Sequence, residues 1–193
     1  MLILQRGVTL IELAIGIAIV AIIMALGLPA WQTFIQNTKI RTAAESLLQG
    51  LNLARTEAVR RNTTVRFQLV SNLTSSCALS TSSLSWVVSL ADPTSQCNAA
   101  PSDTTAPRII QKQSGSEGTT NVTVSATGGS LATFNGLGRA TLGMTQIDLG
   151  NSLGTCEHLG GQLRCLRVLL GSGGQAKLCD PKVTDNTDPR FCG

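Results

Sequence analysis

The sequence predicts an α+β protein in which one long N-terminal α-helix packs on an antiparallel β-sheet. The first observation is an uncharged apolar run over residues 13–31, followed from Ile40 by small and apolar side chains at helical spacing. The second is a change of composition after Asn62, where short β-branched or alternating runs are separated by Gly, Ser, Asn and Pro clusters. A helix followed by a run of strands is the pattern of that fold class.

The apolar run is long enough to cross a membrane. No charge occurs between Glu12 and Lys39, and at ~1.5 Å per residue the stretch 13–31 spans ~28 Å, close to the hydrocarbon core of a bilayer. The positive charge before it, Arg6, favours a cytoplasmic N-terminus. We therefore expect a single pass, with the remainder of the chain on the opposite side of the membrane.

The helix is expected to continue beyond the membrane, from about Thr9 to Arg61, over roughly 80 Å. Gly27 and Pro29 should kink it or open it locally. Its second half is amphipathic, and one buried seam is predicted from the spacing of Ile40, Ala44, Leu47, Leu51, Ala54 and Ala58.

Two ion pairs, each between residues i and i+4, should lie on exposed faces of this second half. They are Arg41 with Glu45, and Glu57 with Arg61.

A β-rich domain is expected to pack one sheet face on the helix seam. The predicted strands are Thr64–Val70, Leu84–Ala91, Asn121–Ala126, Gln146–Leu149 and Arg164–Leu170. Residues 92–107 and 113–120 are polar and rich in Pro, Gly and Ser, which predicts loops. Turns are predicted at Gly136–Arg139, before a strand, and at Gly171–Gly174, between the last two strands.

Six cysteines lie outside the apolar run: Cys77, Cys97, Cys156, Cys165, Cys179 and Cys192. An even count in an oxidising compartment favours disulfides. Of the fifteen possible pairings, local pairing would give Cys77–Cys97, Cys156–Cys165 and Cys179–Cys192. A zinc site is disfavoured because the sequence has no C-x-x-C pair and only one histidine, His158. We expect no metal and no cofactor.

Glu12 is a carboxylate at the edge of the apolar run and has two interpretations. It caps the start of the helix, where an anion meets the positive end of the helix dipole. Alternatively it pairs with an amine of another subunit, which a cut between Gly7 and Val8 would create at Val8.

The segment G-V-T-L-I-E-L, from Gly7 to Leu13, resembles the prepilin signature of type IV pilins and type II secretion pseudopilins. The resemblance implies that a prepilin peptidase cuts after Gly7 and methylates the amine of Val8. It also implies that Glu12 pairs with that amine during assembly. Major pilins usually have Phe where this chain has Val8, which points towards a minor subunit.

The end of the predicted helix, Leu53–Asn62, resembles the L-A-R-x-E-A-x-x-R-x segment of the FimT/GspH group of minor pilins and pseudopilins. The resemblance implies a pilin fold with a leader over residues 1–7, a transmembrane or filament-core helix over 8–34 and a periplasmic head over 35–193. It implies residence in the bacterial inner membrane before assembly into a pilus or pseudopilus. The partners implied are prepilin peptidase and other major and minor pilins or pseudopilins.

The C-terminal tail resembles the ending of FimT-type minor pilins, because C-D-P at Cys179 and D-P-R-x-C at Asp188 match it. In those proteins a G-R-x-R element is implicated in binding double-stranded DNA, but here Gln175 and Lys177 stand in place of its two arginines. The possible DNA-binding residues are Lys177, Lys182, Arg190, Arg164 and Arg167. The alternative is a solvated loop of mixed charge, and any DNA binding is expected to be weak and salt-sensitive.

Three functions remain open: a structural minor pilin, a FimT-like DNA receptor on a pilus, and the H pseudopilin of a type II secretion system. The cysteine-closed tail favours the two pilus functions, since pseudopilin heads usually lack it. The sequence contains neither G-x-S-x-G nor H-E-x-x-H, so we expect no catalytic residues and no enzymatic activity.

Overall fold

The computed structural model describes residues 8–116 and 118–193, except the side chains of residues 25–30 and Leu142. The predicted leader, with Gly7, lies outside the described residues. The chain forms two compact units, Met1–Ile35 and Gln36–Gly193.

The helix α1 comprises Leu10–Arg61, 52 residues in one continuous assignment. This confirms the predicted span to within one residue. The proposed kink at Gly27 and Pro29 falls among side chains that are not described, and it stays a prediction. In the described part of the chain, no helical stretch combines the length and the hydrophobicity needed to cross a membrane.

Nine strands follow the helix in the described residues: β1 (Val65–Leu69), β2 (Trp86–Ser89), β3 (Ile109–Gln113), β4 (Val122–Thr127), β5 (Leu131–Phe134), β6 (Ala140–Gly143), β7 (Gln146–Asn151), β8 (Leu166–Leu170) and β9 (Ala176–Cys179). They form two sheets, with strand orders β3-β2-β1-β5-β6 and β4-β7-β8-β9. Every pairing within the sheets is antiparallel. The α+β class with an antiparallel β-rich head is thus confirmed.

The five strands predicted as explicit ranges correspond to β1, β2, β4, β7 and β8. The strand expected after Gly136–Arg139 is β6, and the turn at Gly171–Gly174 joins β8 to β9 as expected. Two strands were not predicted from the sequence: β3, which is largely polar, and β5, which is four residues long. Cross-strand partners, rather than local pattern, hold both of these strands in place.

One core joins the helix seam to both sheets. All six predicted seam residues are at most 1 % exposed. They pack with Phe67 of β1, Trp86 of β2 and Ile147 of β7. The Trp86 indole N–H donates to Ser46 Oγ at 3.1 Å, so even the polar atom of this ring has a partner on the helix. The seam is therefore buried as predicted, and it packs against two sheets rather than one.

Gly50 lies on the same helix face, where the two large rings approach. A Cβ at this position would lie 2.7 Å from Phe67 Cε2 and 3.1 Å from Trp86 Cδ2. Phe67 and Trp86 contact each other with ring centroids 5.7 Å apart. The absence of a side chain at Gly50 is what lets both rings reach the helix backbone.

The two helix-surface ion pairs differ in their surroundings. Arg41 Nε lies 2.7 Å from Glu45 Oε1 on an exposed face, as predicted. Arg61 Nε also lies 2.7 Å from Glu57 Oε2, but these side chains are only 19 % and 14 % exposed. The prediction of an exposed pair was wrong there, since tertiary packing brings a further carboxylate to it: Asp103 Oδ1 lies 2.6 Å from Arg61 Nη1.

The long loop after β2 is held down by a second, smaller core. Val70, Val87 and Ile109 pack with the Cys77–Cys97 disulfide on the outer face of the first sheet. The Lys112 ammonium donates to the carbonyl oxygens of Cys97 and Ala99, at 2.8 and 2.9 Å. The predicted loop over residues 92–107 is therefore a tethered structure.

Candidate functional site

The first turn of α1 contains a reciprocal capping box. The Thr9 amide donates to Glu12 Oε2 at 2.9 Å, and the Thr9 hydroxyl donates to the same oxygen at 2.8 Å. The Glu12 amide in turn donates to Thr9 Oγ1 at 3.3 Å. Threonine followed three residues later by glutamate is the sequence signature of this motif, and it would have identified Thr9 as the partner.

The predicted cleavage point lies at the edge of the described residues. Val8, the residue expected to become the methylated N-terminus, is 76 % exposed and precedes the first helical residue, Leu10. Because Gly7 lies outside the described residues, the cleavage and methylation assignments stay predictions. In an isolated subunit, Glu12 already has local partners, and an intersubunit amine would have to compete with them.

All six cysteines form disulfides in the local pairing. Cys77–Cys97, Cys156–Cys165 and Cys179–Cys192 have Cα–Cα distances of 6.1, 5.4 and 5.1 Å. Among the described residues, no group of three or more His, Cys, Asp or Glu side chains is placed to hold a metal ion. The three disulfides thus close loops. Each disulfide should contribute about 2–4 kcal/mol to the free energy of unfolding.

The C-terminal tail folds back across β9. The Asp180 amide donates to the Arg190 carbonyl at 2.8 Å, and the Lys177 ammonium donates to the Phe191 carbonyl at 2.7 Å. The disulfide Cys179–Cys192 closes this loop. The tail is therefore an ordered structure built on an edge strand of the second sheet.

Each of the five candidate DNA-binding cations is engaged within the subunit. Arg164 Nε lies 2.8 Å from Asp180 Oδ2, and Arg167 Nε lies 2.6 Å from Asp148 Oδ1.

The other three cations are engaged in the same way. Lys182 pairs with Glu157, and Arg190 Nη2 lies 2.6 Å from Asp188 Oδ2. Lys177 has the Phe191 carbonyl as its partner. The five cations are brought to one region by β8, β9 and the tail, but four of them are matched one to one by carboxylates.

The placement of Arg164 differs from the prediction. Arg164 precedes β8, which begins at Leu166, whereas Arg167 lies on the strand. The Arg164 amide donates to Asn37 Oδ1 of the helix at 2.8 Å. The predicted strand Arg164–Leu170 therefore begins two residues too early, and Arg167 alone of these two arginines is a strand residue.

Asp188 is the most strongly perturbed carboxyl of the tail. The hydrogen bonds that it accepts from the Arg190 guanidinium and then from the Arg190 amide lower its pKa to about 2. Because the pKa of Asp188 is lowered in the folded state, the contact stabilises the tail at pH values above the usual pKa range of aspartate. The stabilisation is lost as the pH falls towards 2.

We expect the Asp188 carboxyl carbon to titrate with a midpoint near pH 2 in a carbon-detected NMR titration. Arg190→Gln should move this midpoint up towards the usual aspartate value, because the charged donor is lost. Asp185, whose pKa is lowered by the Thr187 amide and hydroxyl, should not respond to that substitution. A wild-type Asp188 midpoint at the usual aspartate value would contradict the contact.

Comparison with known proteins identifies two family models. The model described as "Type II transport protein GspH" matches residues 43–174. The model described as "Prokaryotic N-terminal methylation motif" matches residues 4–28. A comparison with curated protein sequences gives no significant match.

Among solved structures, the chain is similar to the type IV minor pilin FimU of Pseudomonas aeruginosa in two crystal forms. In space group P21 the identity is 16 %, the TM-score is 0.46, and the match covers 79 % of this chain and 99 % of FimU. In space group P65 the identity is 16 %, the TM-score is 0.41, and the coverage is 75 % and 99 %.

Proposed function

This chain belongs to the GspH family and carries a prokaryotic N-terminal methylation motif, and we propose that it is a minor type IV pilin. In this role a prepilin peptidase cuts it after Gly7 and methylates Val8. The subunit is anchored in the bacterial inner membrane by the apolar half of α1, with its head in the periplasm. It then joins other pilins to prime or extend a pilus.

The observation that carries the proposal is the continuity of α1. The methylation motif at residues 4–28 and the family domain at 43–174 are joined by one uninterrupted helix, Leu10–Arg61. That arrangement couples a processed, apolar N-terminus to a compact β-rich head. In the described part of the first unit the apolar side chains are exposed, for example Leu10 at 86 % and Ile17 at 62 %. Such a surface is suited to burial in a bilayer or against other subunits.

A pilus is favoured over a pseudopilus by the C-terminal tail. The match to the family model ends at residue 174, so β9 and the loop closed by Cys179–Cys192 lie outside the matched residues. Their C-D-P and D-P-R-x-C elements resemble FimT-type minor pilins. The name of the family, type II transport protein GspH, supports the H pseudopilin as the second candidate function.

The third possibility, a DNA receptor that uses the tail, is opposed by the ion pairs of Arg164, Arg167, Lys182 and Arg190. Binding phosphate there would require breaking contacts that already satisfy these cations. The structural role is therefore preferred over DNA binding by the tail.

An in-frame deletion complemented with the wild-type gene distinguishes these functions. For a minor pilin we expect few or no surface pili and lost twitching motility, both restored by complementation, with secretion of exoproteins unchanged. Lost secretion with normal piliation would overturn the proposal in favour of the pseudopilin. Normal piliation with lost transformation would instead support a DNA receptor.

A further inference from the structure

The connection between β7 and β8 exposes two leucine side chains on a cross-linked support. This connection comprises residues 152–165, and we call it the leucine loop. Leu153 is 63 % exposed and Leu159 is 69 % exposed. The disulfide Cys156–Cys165 cross-links the part of the loop that contains Leu159, and the Leu159 amide donates to the Cys156 carbonyl at 2.9 Å. An ordered backbone therefore holds both leucines at the surface, where contact with water is unfavourable.

Two amide side chains fasten the leucine loop to the first residues of the head. Asn151 Nδ2 donates to Gln36 Oε1 at 2.8 Å, and Oδ1 of the same side chain accepts from the Leu153 amide at 2.9 Å. The Arg164 amide donates to Asn37 Oδ1 at 2.8 Å. Gln36 is the first residue of the second compact unit. Both ends of the leucine loop are thus fastened where the chain enters the head.

The chain position of Gln36 places it at the membrane surface in an anchored subunit. The uncharged apolar run ends at Trp31, and the five residues from there to Gln36 rise by about 7.5 Å in a helix. The headgroup layer on each side of a bilayer is about 5–8 Å thick. Trp31 and Phe34 are each 62 % exposed, and aromatic residues are enriched at the membrane interface. Gln36, and the leucine loop bonded to it, therefore lie at headgroup level when the apolar run spans the bilayer.

The charges of the leucine loop are compatible with an anionic lipid surface. Its one carboxylate, Glu157, is paired with Lys182. Arg164 pairs with Asp180 through Nε, and 45 % of the arginine side chain stays exposed. Interfacial contacts combine apolar side chains with cations that attract anionic headgroups. The leucine loop has both of these, and its negative charge is compensated.

We propose that the leucine loop is a second, shallow membrane contact, in which Leu153 and Leu159 insert into the headgroup region of the bilayer that anchors the subunit. This inference rests on the proposed membrane anchoring and adds a contact made by the head. The bilayer is favoured over a second copy of the chain, because the covalent connection at Gln36 brings lipid to this loop in every anchored subunit.

Such a contact is reversible. Two leucines bury little apolar area, and the anchor supplies the high local concentration of lipid that makes the insertion effective. The contact orients the head on the membrane and is released when the subunit leaves the bilayer.

The test uses the full chain, reconstituted in nanodiscs of phosphatidylethanolamine and phosphatidylglycerol. A fraction of the lipid carries a gadolinium chelate on its headgroup, which broadens the NMR signals of nearby protein groups. We expect the methyl signals of Leu153 and Leu159 to be lost. The oxidised fragment 36–193 lacks the anchor and supplies the unbroadened reference, because it is a compact unit with its own core and all three disulfides.

Leu137 is the matched control, and its methyl signals should be kept. It is 79 % exposed, so it is at least as accessible as the two loop leucines. Its neighbour Gly138 lies against Val59, since a Cβ on that glycine would be 2.9 Å from Val59 Cγ2. Val59 is about 35 Å along the helix from Gln36, which is too far for a headgroup probe to act.

A pair of variants separates insertion of the leucines from mere proximity to the membrane. In Leu153→Ser/Leu159→Ser the amide signal of Thr155, which the lipid chelate broadens in the wild type, should recover most of its intensity. Leu137→Ser should leave that signal as broadened as in the wild type. Recovery is interpreted only if the double variant keeps the wild-type melting temperature; Leu153→Ala/Leu159→Ala is the substitute if it does not.

Three results would overturn the proposal. If alkaline carbonate does not extract the chain from vesicles but the lipid chelate leaves Leu153 and Leu159 as sharp as Leu137, the anchored pilin stands and the loop contact does not. If Thr155 stays broadened in both double variants, the leucines do not insert. If neither the lipid chelate nor a soluble chelate reaches the two leucines, a second copy of the chain covers them. Extraction of the chain by carbonate would instead overturn the membrane anchoring, and the loop contact with it.

Discussion

Glu12→Ala is expected to leave cleavage intact and to reduce incorporation into filaments by roughly tenfold or more, if the carboxylate pairs with a buried amine between subunits. The structure shows that the same carboxylate also accepts two hydrogen bonds from Thr9. An alanine substitution removes both functions at once, so by itself it cannot separate an intersubunit charge pair from a helix cap.

Two further variants separate these functions. Glu12→Gln keeps an acceptor at the third helical position, where glutamine also forms a capping box, but removes the charge. Thr9→Ala keeps the charge but removes the hydroxyl that donates to Glu12 and accepts from its amide. We expect Glu12→Gln to assemble as poorly as Glu12→Ala, and Thr9→Ala to assemble nearly as well as the wild type.

The measurement is the fraction of the subunit in sheared filaments, compared with the processed subunit left in the membrane. Gly7→Leu is the reference for blocked processing and should accumulate as an uncut precursor. Normal assembly of Glu12→Gln together with poor assembly of Thr9→Ala would mean that Glu12 acts as a cap. Mass spectrometry of the N-terminus would report methylation of Val8 in each cut variant.

Phe67→Ala is expected to destabilise the head by about 3–5 kcal/mol, because it removes a fully buried ring from the shared core. Phe67 is 0 % exposed and contacts Trp86 directly. Urea unfolding of oxidised 36–193 gives the change in the free energy of unfolding. Leu137→Ala is the control, since that side chain is 79 % exposed and its loss should change stability by less than about 0.5 kcal/mol.

The same core predicts coupling between Phe67 and Gly50. Gly50→Ala gains about 1 kcal/mol of helix propensity, but its Cβ would lie 2.7 Å from Phe67 Cε2. Overpacking of this kind typically costs about 1–3 kcal/mol. We therefore expect Gly50→Ala to destabilise the wild-type head and to be much less harmful in a Phe67→Ala background. Equal effects in both backgrounds would contradict the close contact.

Periodicity and short-range spacing account for the features that the sequence predicts well. The seam from Ile40 to Ala58 and the helix end at Arg61 follow from repeats of three and four residues. The cysteine pairs involve partners separated by 20, 9 and 13 residues. Local periodicity does not predict the polar strand β3, because β3 is held as a strand by its pairing with β2.

By itself, the sequence determined the long helix, the prepilin signature at its start and the buried seam, because each depends on residues close together in the chain. Only the tertiary structure decided which charges are free. Arg164 and Arg167 find Asp180 and Asp148 across 16 and 19 residues, whereas Arg139 reaches the helix end through the contact of Gly138 with Arg55, across 83 residues. Neutralisation of a cation depends on its distance from a carboxylate in space, and such distances are set by the packing of helix, sheets and loops.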